Sequence, residues 1–171
     1  MAILDIILAP DPRLTAPCEP VEAVDGALQR LMDDMLETMY KAPGIGLAAP
    51  QVGVMKRFFV VDVGEENARD PRFFINPEIT DRSETTSVYE EGCLSLPKQF
   101  ADVERSDAVS LRYRDRRGAE RTLDADGMLA RCIQHEMDHL DGILFIDHLS
   151  ALKRRMILRR MTKAKRAQQT A

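Results

Sequence analysis

The sequence predicts an α+β fold, with two amphipathic helices, a run of short strands between them and a basic helix at the C-terminus. Residues 25–40 and 126–141 place apolar side chains at the spacing of one helix face. The strand-like segments between these helices are rich in β-branched and aromatic residues, and no helix-length segment separates one from the next. We therefore expect antiparallel sheets rather than the parallel sheet of a βαβ fold.

The first helix is predicted from its methionine-rich stripe. Met32, Met35 and Met39 recur at intervals of three and four residues, and Asp25 can serve as the N-cap. Such a stripe is typical of a helix that faces the core, so we interpret it as core and not as part of a cofactor site. In residues 41–51 glycines and prolines break the periodicity, which predicts a loop.

The strands are predicted from short apolar and alternating segments. Residues 115–118, Asp-Arg-Arg-Gly, predict a hairpin between the last two strands, because Gly118 suits a positive φ. The predicted strands are residues 57–63, 72–79, 85–91, 103–106, 108–114 and 120–123.

The second helix carries the strongest chemical signal. Asp124 or Asp126 can cap its start, and a glycine follows its end at position 142. It contains the pattern H-E-x-x-H, in which His135 and His139 point the same way, one turn apart, and can reach one metal ion. Glu136 lies between them and can reach a water in the fourth position of that metal. This pattern predicts a metal-dependent hydrolase.

The third metal ligand is less evident from the sequence. Some H-E-x-x-H proteases take it from downstream, but Phe145 occupies one such position and no acid follows Asp147. His148 is possible on chemistry alone. Cys93 is the better candidate because a thiolate is a strong ligand for a transition metal. We expect Cys132, on the same helix face as the histidines, to form a pocket wall and not to bind the metal.

Three segments together resemble the signature motifs of a known family. They are G-I-G-L-A-A-P-Q at residues 44–51, E-G-C-L-S at residues 91–95 and Q-H-E-M-D-H-L at residues 134–140. Their order and spacing are similar to those of bacterial peptide deformylase, and the resemblance covers about the first 150 residues. It implies three antiparallel sheet segments around a central metal-binding helix, followed by a C-terminal helix.

The resemblance also implies a metal site. Cys93, His135 and His139 would bind one divalent ion, with water as the fourth ligand. Fe(II) is the family's native ion, and Zn, Ni or Co can occupy the site. The implied reaction is hydrolysis of the N-formyl group from the N-terminal formylmethionine of newly synthesised polypeptides, which releases formate.

The same resemblance implies catalytic roles. Glu136 would take the proton of the water and pass it to the leaving amine. Gln51, through its side-chain amide, and Leu94, through its backbone N–H, would donate hydrogen bonds to the oxyanion. Such donors stabilise the negative charge that develops during attack on the formyl carbon.

The methionine side chain of the substrate needs an apolar pocket beside the metal. Met128 and Cys132 share a helix face with the first histidine, and Ile45 and Leu47 are expected to form the opposite wall. The peptide is expected to bind in an extended conformation, pairing with the backbone around Gly46 and with the strand that precedes the E-G-C-L-S motif. Some relatives carry an arginine where this chain has Phe100, so we expect no basic contact from that position.

The charge distribution predicts a second kind of partner. The net charge is −4, but residues 148–171 contain eight bases and no acid, so residues 1–147, with 28 acids and 16 bases, carry −12. A basic helix over residues 149–168 is either a solvated terminal helix or a contact with ribosomal RNA. We expect a single catalytic domain over residues 1–171, in which 1–147 form an acidic body and 148–171 a basic helix, and a monomer without a DNA partner.

Composition excludes several other classes of protein. Hydrophobic residues make up 44% and charged residues 30%, which is typical of a soluble globular chain. No apolar run is long enough for a membrane span, and acids and prolines interrupt the opening segment, so we expect no signal peptide and a cytoplasmic location. Three cysteines without a secretion signal predict reduced thiols. The alternatives are an H-E-x-x-H zinc protease and an inactive ribosome-associated binding protein.

Overall fold

The computed structural model describes residues 2–170, and the side chains of residues 2–168. The predicted domain begins at Met1 and its basic tail ends at Ala171, and these two residues lie outside the described residues. The helices are α1 (Gly26–Lys41), α2 (Gly127–Leu140) and α3 (Ala151–Thr170). The strands are β1 (Gly46–Ala48), β2 (Phe58–Val61), β3 (Arg72–Arg82), β4 (Thr86–Cys93), β5 (Leu96–Ser106), β6 (Ala108–Arg114) and β7 (Glu120–Asp126).

The pairing is antiparallel throughout the described strands, as predicted, but they form two sheets and not three sheet segments. Five strands make one sheet in the order β1-β2-β3-β6-β7, and β4 pairs with β5 in a two-stranded ribbon. Helix α2 packs against β1, β2, β6 and β7 of the large sheet and against β5 of the ribbon. The helix that carries H-E-x-x-H is therefore central, with strands of both sheets around it.

The methionines of helix α1 lie in the core, as predicted. The Asp25 side chain caps the helix by accepting a hydrogen bond of 2.9 Å from the backbone N–H of Leu28. Met32, Met35 and Met39 are fully buried and pack in one cluster with residues of β1 and β2. This packing fixes β1 from behind, on the side away from α2.

Strand β1 lies within residues 41–51, where the sequence predicted only a loop, and that prediction was wrong. Gly46 pairs with Val61 and Ala48 pairs with Phe59, so β2 supplies the hydrogen bonds that hold these three residues extended. The strand is too short to show a period of its own. Its extended conformation comes from a partner in another part of the chain, which local periodicity does not report.

The β4–β5 ribbon is longer than predicted, because β5 begins at Leu96 and not at residue 103. Cross-strand pairing continues from the Thr86–Ser106 pair to the Gly92–Phe100 pair, and a register irregularity follows before Cys93. The hairpin between β6 and β7 is as predicted, since Gly118 has a φ of 87°. The ribbon carries Cys93 at its tip.

Helix α2 begins after Asp126, but neither predicted aspartate caps it through its side chain. The Asp126 side chain makes no capping hydrogen bond, and that of Asp124 accepts one from Ser110 across the β6–β7 pair. Both residues belong to β7, which runs directly into the helix, so the strand pairing determines where the aspartates point. Gly142 follows the helix with a φ of 73°, as predicted.

Helix α3 docks on the body through its apolar side. Ile157 and Met161 are buried in a cluster with Leu144 and Phe145, while most of the basic side chains are exposed. The helix begins at Ala151, two residues later than expected. Within the described residues no helix has the length and apolarity that a membrane crossing requires. All three cysteines are free thiols, as predicted.

Candidate metal centre and active site

The ribbon and α2 bring three metal-ligating side chains together. Cys93 Sγ and one ring nitrogen each of His135 and His139 all lie within 4.8 Å of one another. The Cys93 Sγ to His139 Nε2 distance is 3.4 Å. One turn of helix separates the two histidines, so their ring centroids lie 5.0 Å apart with the rings edge-on to each other, and Cys93 faces them from the tip of the ribbon.

The chemistry of these donors fits a divalent transition metal. A thiolate and two imidazoles are ligands that zinc and iron accept, and three protein ligands leave a position for water or substrate. The Nδ1–H of His135 donates to Glu91 Oε1 at 3.0 Å, so its Nε2 is the nitrogen left for a metal. The three side chains therefore match such an ion in their chemistry and in their arrangement.

Glu136 lies beside this centre with an unused carboxylate oxygen. The side chain is 2% exposed, and Oε1 lacks a hydrogen-bond partner among the described residues. That oxygen is 3.9 Å from His139 Nε2. Burial raises the pKa of Glu136 to about 7, although the positive charges of His135 and Arg105 oppose the shift. A carboxylate with a pKa near neutrality can accept and return a proton.

The Gln51 side chain is held against the metal-ligating cysteine. Its Oε1 accepts a 2.9 Å hydrogen bond from the Ala48 backbone, which orients the amide. Its Nε2 donates to Ser95 Oγ at 3.0 Å and points toward Cys93 Sγ at 3.5 Å. Leu94 directly follows Cys93 and lines the same cleft. Both predicted oxyanion donors are thus next to the centre.

Comparison with known proteins identifies the family. The family model of polypeptide deformylase matches residues 3–155. The chain belongs to the polypeptide deformylase family. It is an enzyme that hydrolyses the N-formyl group from the formylmethionine of new polypeptides and releases formate. The two alternatives, a zinc protease and an inactive binding protein, are not supported.

Relatives in the polypeptide deformylase family match over nearly the whole chain. A peptide deformylase of Rhizorhabdus wittichii is 56% identical and covers 100% of both chains, and one of Rhizobium meliloti is 55% identical over 96% of this chain and 95% of its own. Among solved structures, a peptide deformylase of Ehrlichia chaffeensis in complex with actinonin has a TM-score of 0.93 at 43% identity, covering 97% of this chain and 99% of that one. A peptide deformylase of Legionella pneumophila has a TM-score of 0.90 at 43% identity, with 99% of each chain covered.

A cleft of about 900 Å³ opens from the metal centre of this deformylase. Ile45 and Gly46 line one side, and Met128 and Cys132 line the side formed by α2, as the sequence predicted. Met128 is 55% exposed, so it stands at the mouth of the cleft. The thiol of Cys132 lies outside the group of ligand atoms, and burial raises its pKa well above the ordinary value. It forms part of the wall as a neutral thiol.

Leu47 does not line the cleft, which corrects the sequence prediction. Successive side chains of a strand point to opposite faces, so Leu47 points away from the neighbouring Gly46. It is fully buried against the methionines of α1. The prediction placed residues 45 and 47 on the same wall because it treated both as loop residues. Ile45 does lie before the strand, but Leu47 lies within β1, which directs its side chain toward α1.

Gly46 is required by the close approach of β1 to α2. A Cβ atom built on Gly46 would lie 2.7 Å from Glu136 Oε2 and 2.8 Å from Cys132 Sγ. Real Cβ atoms do not approach other heavy atoms this closely. The glycine of the first motif therefore leaves the space that the Glu136 carboxylate occupies.

Sequence reasoning assigned no role to the buried charges behind the metal centre. Glu91 accepts two hydrogen bonds from Arg105, at 2.6 and 2.9 Å, and one from Arg131 at 2.6 Å, besides the bond from His135. Although burial opposes the shift, the hydrogen bonds from His135 and Arg105 lower the pKa of Glu91 to about 2. Burial also opposes the shift at His135, but Cys93 and Glu91 raise its pKa to about 10. Glu91 precedes Cys93 by two residues, a spacing that places both on one face of a strand.

His148, the other histidine that chemistry allowed as a ligand, lies outside the metal-ligating group. Its Nε2 is 2.7 Å from Asp138 Oδ2, which also accepts a hydrogen bond of 2.9 Å from Arg105. His148 therefore joins the far end of the charge network behind the centre. It occupies the segment between α2 and α3, away from the ligand nitrogens of the other two histidines.

Proposed function

We propose that Cys93, His135 and His139 hold one divalent ion, Fe(II) in the cell, and that Glu136 is the general acid and base of the deformylation. The observation that carries this proposal is the unpartnered Oε1 of buried Glu136 beside three converging metal-ligating atoms. When bound, such an ion lowers the pKa of water and polarises a carbonyl oxygen. Zn, Ni and Co suit the same donors.

Glu136 carries the proton through the reaction. In its ionised form it accepts a proton from the attacking water, and in its protonated form it donates that proton to the nitrogen of the leaving peptide. Both transfers require a carboxyl within reach of the water and of the leaving nitrogen, and burial, which raises the pKa of Glu136, favours the protonated form that the second transfer needs. Burial of the side chain keeps bulk water from taking the proton.

Gln51 and Leu94 stabilise the oxyanion. The Gln51 amide is held by Ala48 and Ser95 with one N–H directed toward Cys93 Sγ, so it can donate to negative charge that develops beside the cysteine. The backbone N–H of Leu94 supplies the second donor from the tip of the ribbon. Loss of one such donor typically raises the barrier by about 2.7–4 kcal/mol.

The substrate peptide lies extended between the two sheets. Among the described strands, β1 is an edge strand of the large sheet, and β4 is paired only with β5. Both free edges border the cleft, at Gly46 and at Glu90–Gly92, so an added strand can pair with each of them. The methionine side chain then enters the apolar wall formed by Ile45, Met128 and Cys132.

The enzyme meets its substrates in the cytoplasm as a monomer and reaches nascent chains through α3. Residues 1–171 act as one catalytic domain, because Ile157 and Met161 pack α3 into a body cluster. The outward side of α3 carries Lys153, Arg155 and Arg159, which suit ribosomal RNA phosphates. An acidic body would otherwise be repelled by RNA.

Anaerobic purification followed by metal analysis and a formate-release assay tests the central proposal. We expect one equivalent of iron and turnover of formyl-Met-Ala-Ser. Exposure to air should inactivate the iron form while protein loaded with nickel stays active, since an open Fe(II)–thiolate site reacts with oxygen. Equal stability of the two forms in air would contradict the assignment of iron.

A further inference from the structure

A second cavity, of about 370 Å³, lies at the end of the large sheet where β3 and β6 separate. The last pair between these strands is Ile75 with Arg114. Beyond that pair, β3 continues beside β2 alone among the described strands, and β6 turns into the hairpin that leads to β7. The volume falls within the range of small-molecule sites, about 300–1,000 Å³. None of the residues that line this cavity lines the active-site cleft.

Positive charge is concentrated around this cavity, although the body over residues 1–147 is acidic overall. One of the two aspartates that line it, Asp115, is already engaged by the hairpin. Its Oδ1 accepts hydrogen bonds from the backbone N–H groups of Arg117 and Ala119, and its Oδ2 accepts one from Arg121. Such a concentration of guanidinium groups attracts anions. The lining arginines are Arg72, Arg116, Arg117 and Arg121, and the aspartates are Asp70 and Asp115.

Two of these arginines keep unused hydrogen-bond donors. Arg72 Nε is buried without a hydrogen-bond partner among the described residues, and the ion pair from Arg72 to Asp70 is long, at 3.3 Å. The Arg117 side chain is exposed and makes no hydrogen bond or ion pair with the described part of the chain. By contrast, Arg116 donates two hydrogen bonds to Asp33, at 3.2 and 2.7 Å. Arg72 and Arg117 are therefore the arginines with donors left for a ligand.

Strand pairing places an aromatic ring between two of the arginines. Tyr113 of β6 pairs directly with Arg121 of β7, and directly paired residues share a face of the sheet. The Tyr113 ring contacts the Phe74 ring with 4.6 Å between the centroids, and Arg72 lies two residues before Phe74 on β3. Three neighbouring strands thus present Arg72, Tyr113 and Arg121 on one face, at positions that the sheet holds in place.

We propose that this cavity binds the phosphate group of a small phosphate monoester, such as a nucleoside monophosphate, at a site separate from the deformylase centre. A planar guanidinium matches phosphate geometry, because two parallel N–H groups can donate to two phosphate oxygens. The bound dianion would use the free donors of Arg72 and Arg117 and offset the local positive charge. The Tyr113 ring lies beside them for the rest of the molecule.

Isothermal titration calorimetry of the nickel-loaded enzyme with AMP, ribose 5-phosphate and adenosine tests this site. We expect the two phosphate esters to bind with one equivalent each and adenosine, which has no phosphate, not to bind. Arg72→Gln and Arg117→Gln should each weaken AMP binding by about tenfold, because each loses a charged donor to the phosphate. Arg112→Gln is the matched control, since Arg112 is an exposed arginine of β6 that pairs with Glu78 and does not line the cavity.

Formate release from formyl-Met-Ala-Ser should be unchanged when AMP is present, because the cavity and the cleft share no lining residue. Arg117→Gln keeps the test decisive if Arg72→Gln fails to fold, because Arg117 is exposed and contributes only its backbone N–H to the hairpin. Equal AMP affinity in wild type and Arg117→Gln would overturn the inference, as would competition between AMP and the peptide substrate. Binding of an RNA oligonucleotide without binding of either phosphate ester would also overturn it.

Discussion

Glu91 Oε1 lies 3.0 Å from Nδ1 of His135, and this bond joins the metal-ligating histidine to a carboxylate that two arginines hold in place. Glu91, Arg105 and Arg131 are all buried. Hydrogen bonds of this kind fix the ring orientation and the tautomer of a metal-binding histidine. The geometry of the centre therefore depends on charges that do not themselves reach a metal.

Glu91→Gln is expected to weaken metal binding by about 10- to 100-fold, because the neutral amide no longer orients His135 as a carboxylate does. It also removes the carboxylate that pairs with Arg131 and leaves Arg105 with Asp138 alone, so the variant should unfold at a lower temperature. Competition with a chelator measures the first effect and circular dichroism the second. Glu90→Gln is the control, since Glu90 is the exposed neighbour on the opposite face. Equal metal affinity in the two variants would contradict the role of Glu91.

Glu136→Ala is expected to keep one equivalent of metal and to lose at least about two orders of magnitude in formate release. The side chain supplies the proton acceptor, while the three ligands remain. Metal analysis and single-turnover assays on the same preparation separate binding from chemistry. Glu136→Gln should behave similarly, because an amide cannot carry the proton. Near-normal turnover in either metal-loaded variant would refute the assignment.

The two cysteines near the centre should respond differently to the same substitution. Cys93→Ser is expected to lose most of its bound metal, because a hydroxyl is a much poorer ligand than a thiolate. Cys132→Ser should retain the metal, since Cys132 lies outside the ligand group and forms the cleft wall. Metal content after dialysis measures the difference. Retention of metal by both variants would show that Cys93 is not a ligand.

Gly46→Ala is expected to reduce kcat by about a hundredfold, because the new methyl group displaces the Glu136 carboxylate from its position. The new Cβ would lie 2.7 Å from Glu136 Oε2 and 2.8 Å from Cys132 Sγ, so these side chains must move. Gly26→Ala is the matched control, because the nearest atom there belongs to the flexible side chain of Arg30, at 3.2 Å. Circular dichroism shows whether each variant folds. Wild-type kcat in folded Gly46→Ala would disprove the steric argument.

Ribosome contact through α3 should weaken when four of its exposed charges are removed. Lys153, Arg155, Arg159 and Lys163 are exposed, and changing all four to glutamine leaves the buried Ile157 in place. Co-sedimentation with ribosomes at low salt should fall steeply, while hydrolysis of free formyl-Met-Ala-Ser stays unchanged. Deletion of the helix is a poorer test, since it exposes the cluster that Ile157 completes. If the quadruple variant co-sediments as well as the wild type, α3 is a solvated terminal helix that does not bind ribosomal RNA.

The parts of the site that the sequence predicted are those with a local signature. The spacing of His135 and His139 alone predicts that they share a helix face. The resemblance of the three motifs to a known family predicts that Cys93 and Gln51 lie beside them. Helices with long periodic stripes, such as α1, were predicted almost to the residue. In each case the information lies within one segment or within the motif itself.

The parts that the sequence did not predict depend on contacts between distant segments. Strand β1 exists because β2 pairs with it, so the orientation of Leu47 could not be predicted from residues 41–51 alone. Glu91 and Arg105 meet because β4 and β5 pair, and each residue alone is typical of an exposed strand position. A buried charge network has no local sequence pattern, because the pairing of the strands determines which charged residues meet.

Cys93 and His139 are 46 positions apart in the chain, on the ribbon and on α2 respectively. A bound ion would therefore act as a removable cross-link between these two parts of the fold. Because an unfolded chain does not present three donors together, ligation would raise the free energy of unfolding by about 4.1 kcal/mol when free metal exceeds the Kd a thousandfold. The metal supply of the cell would then control how long the protein survives proteolysis, in addition to how fast it turns over.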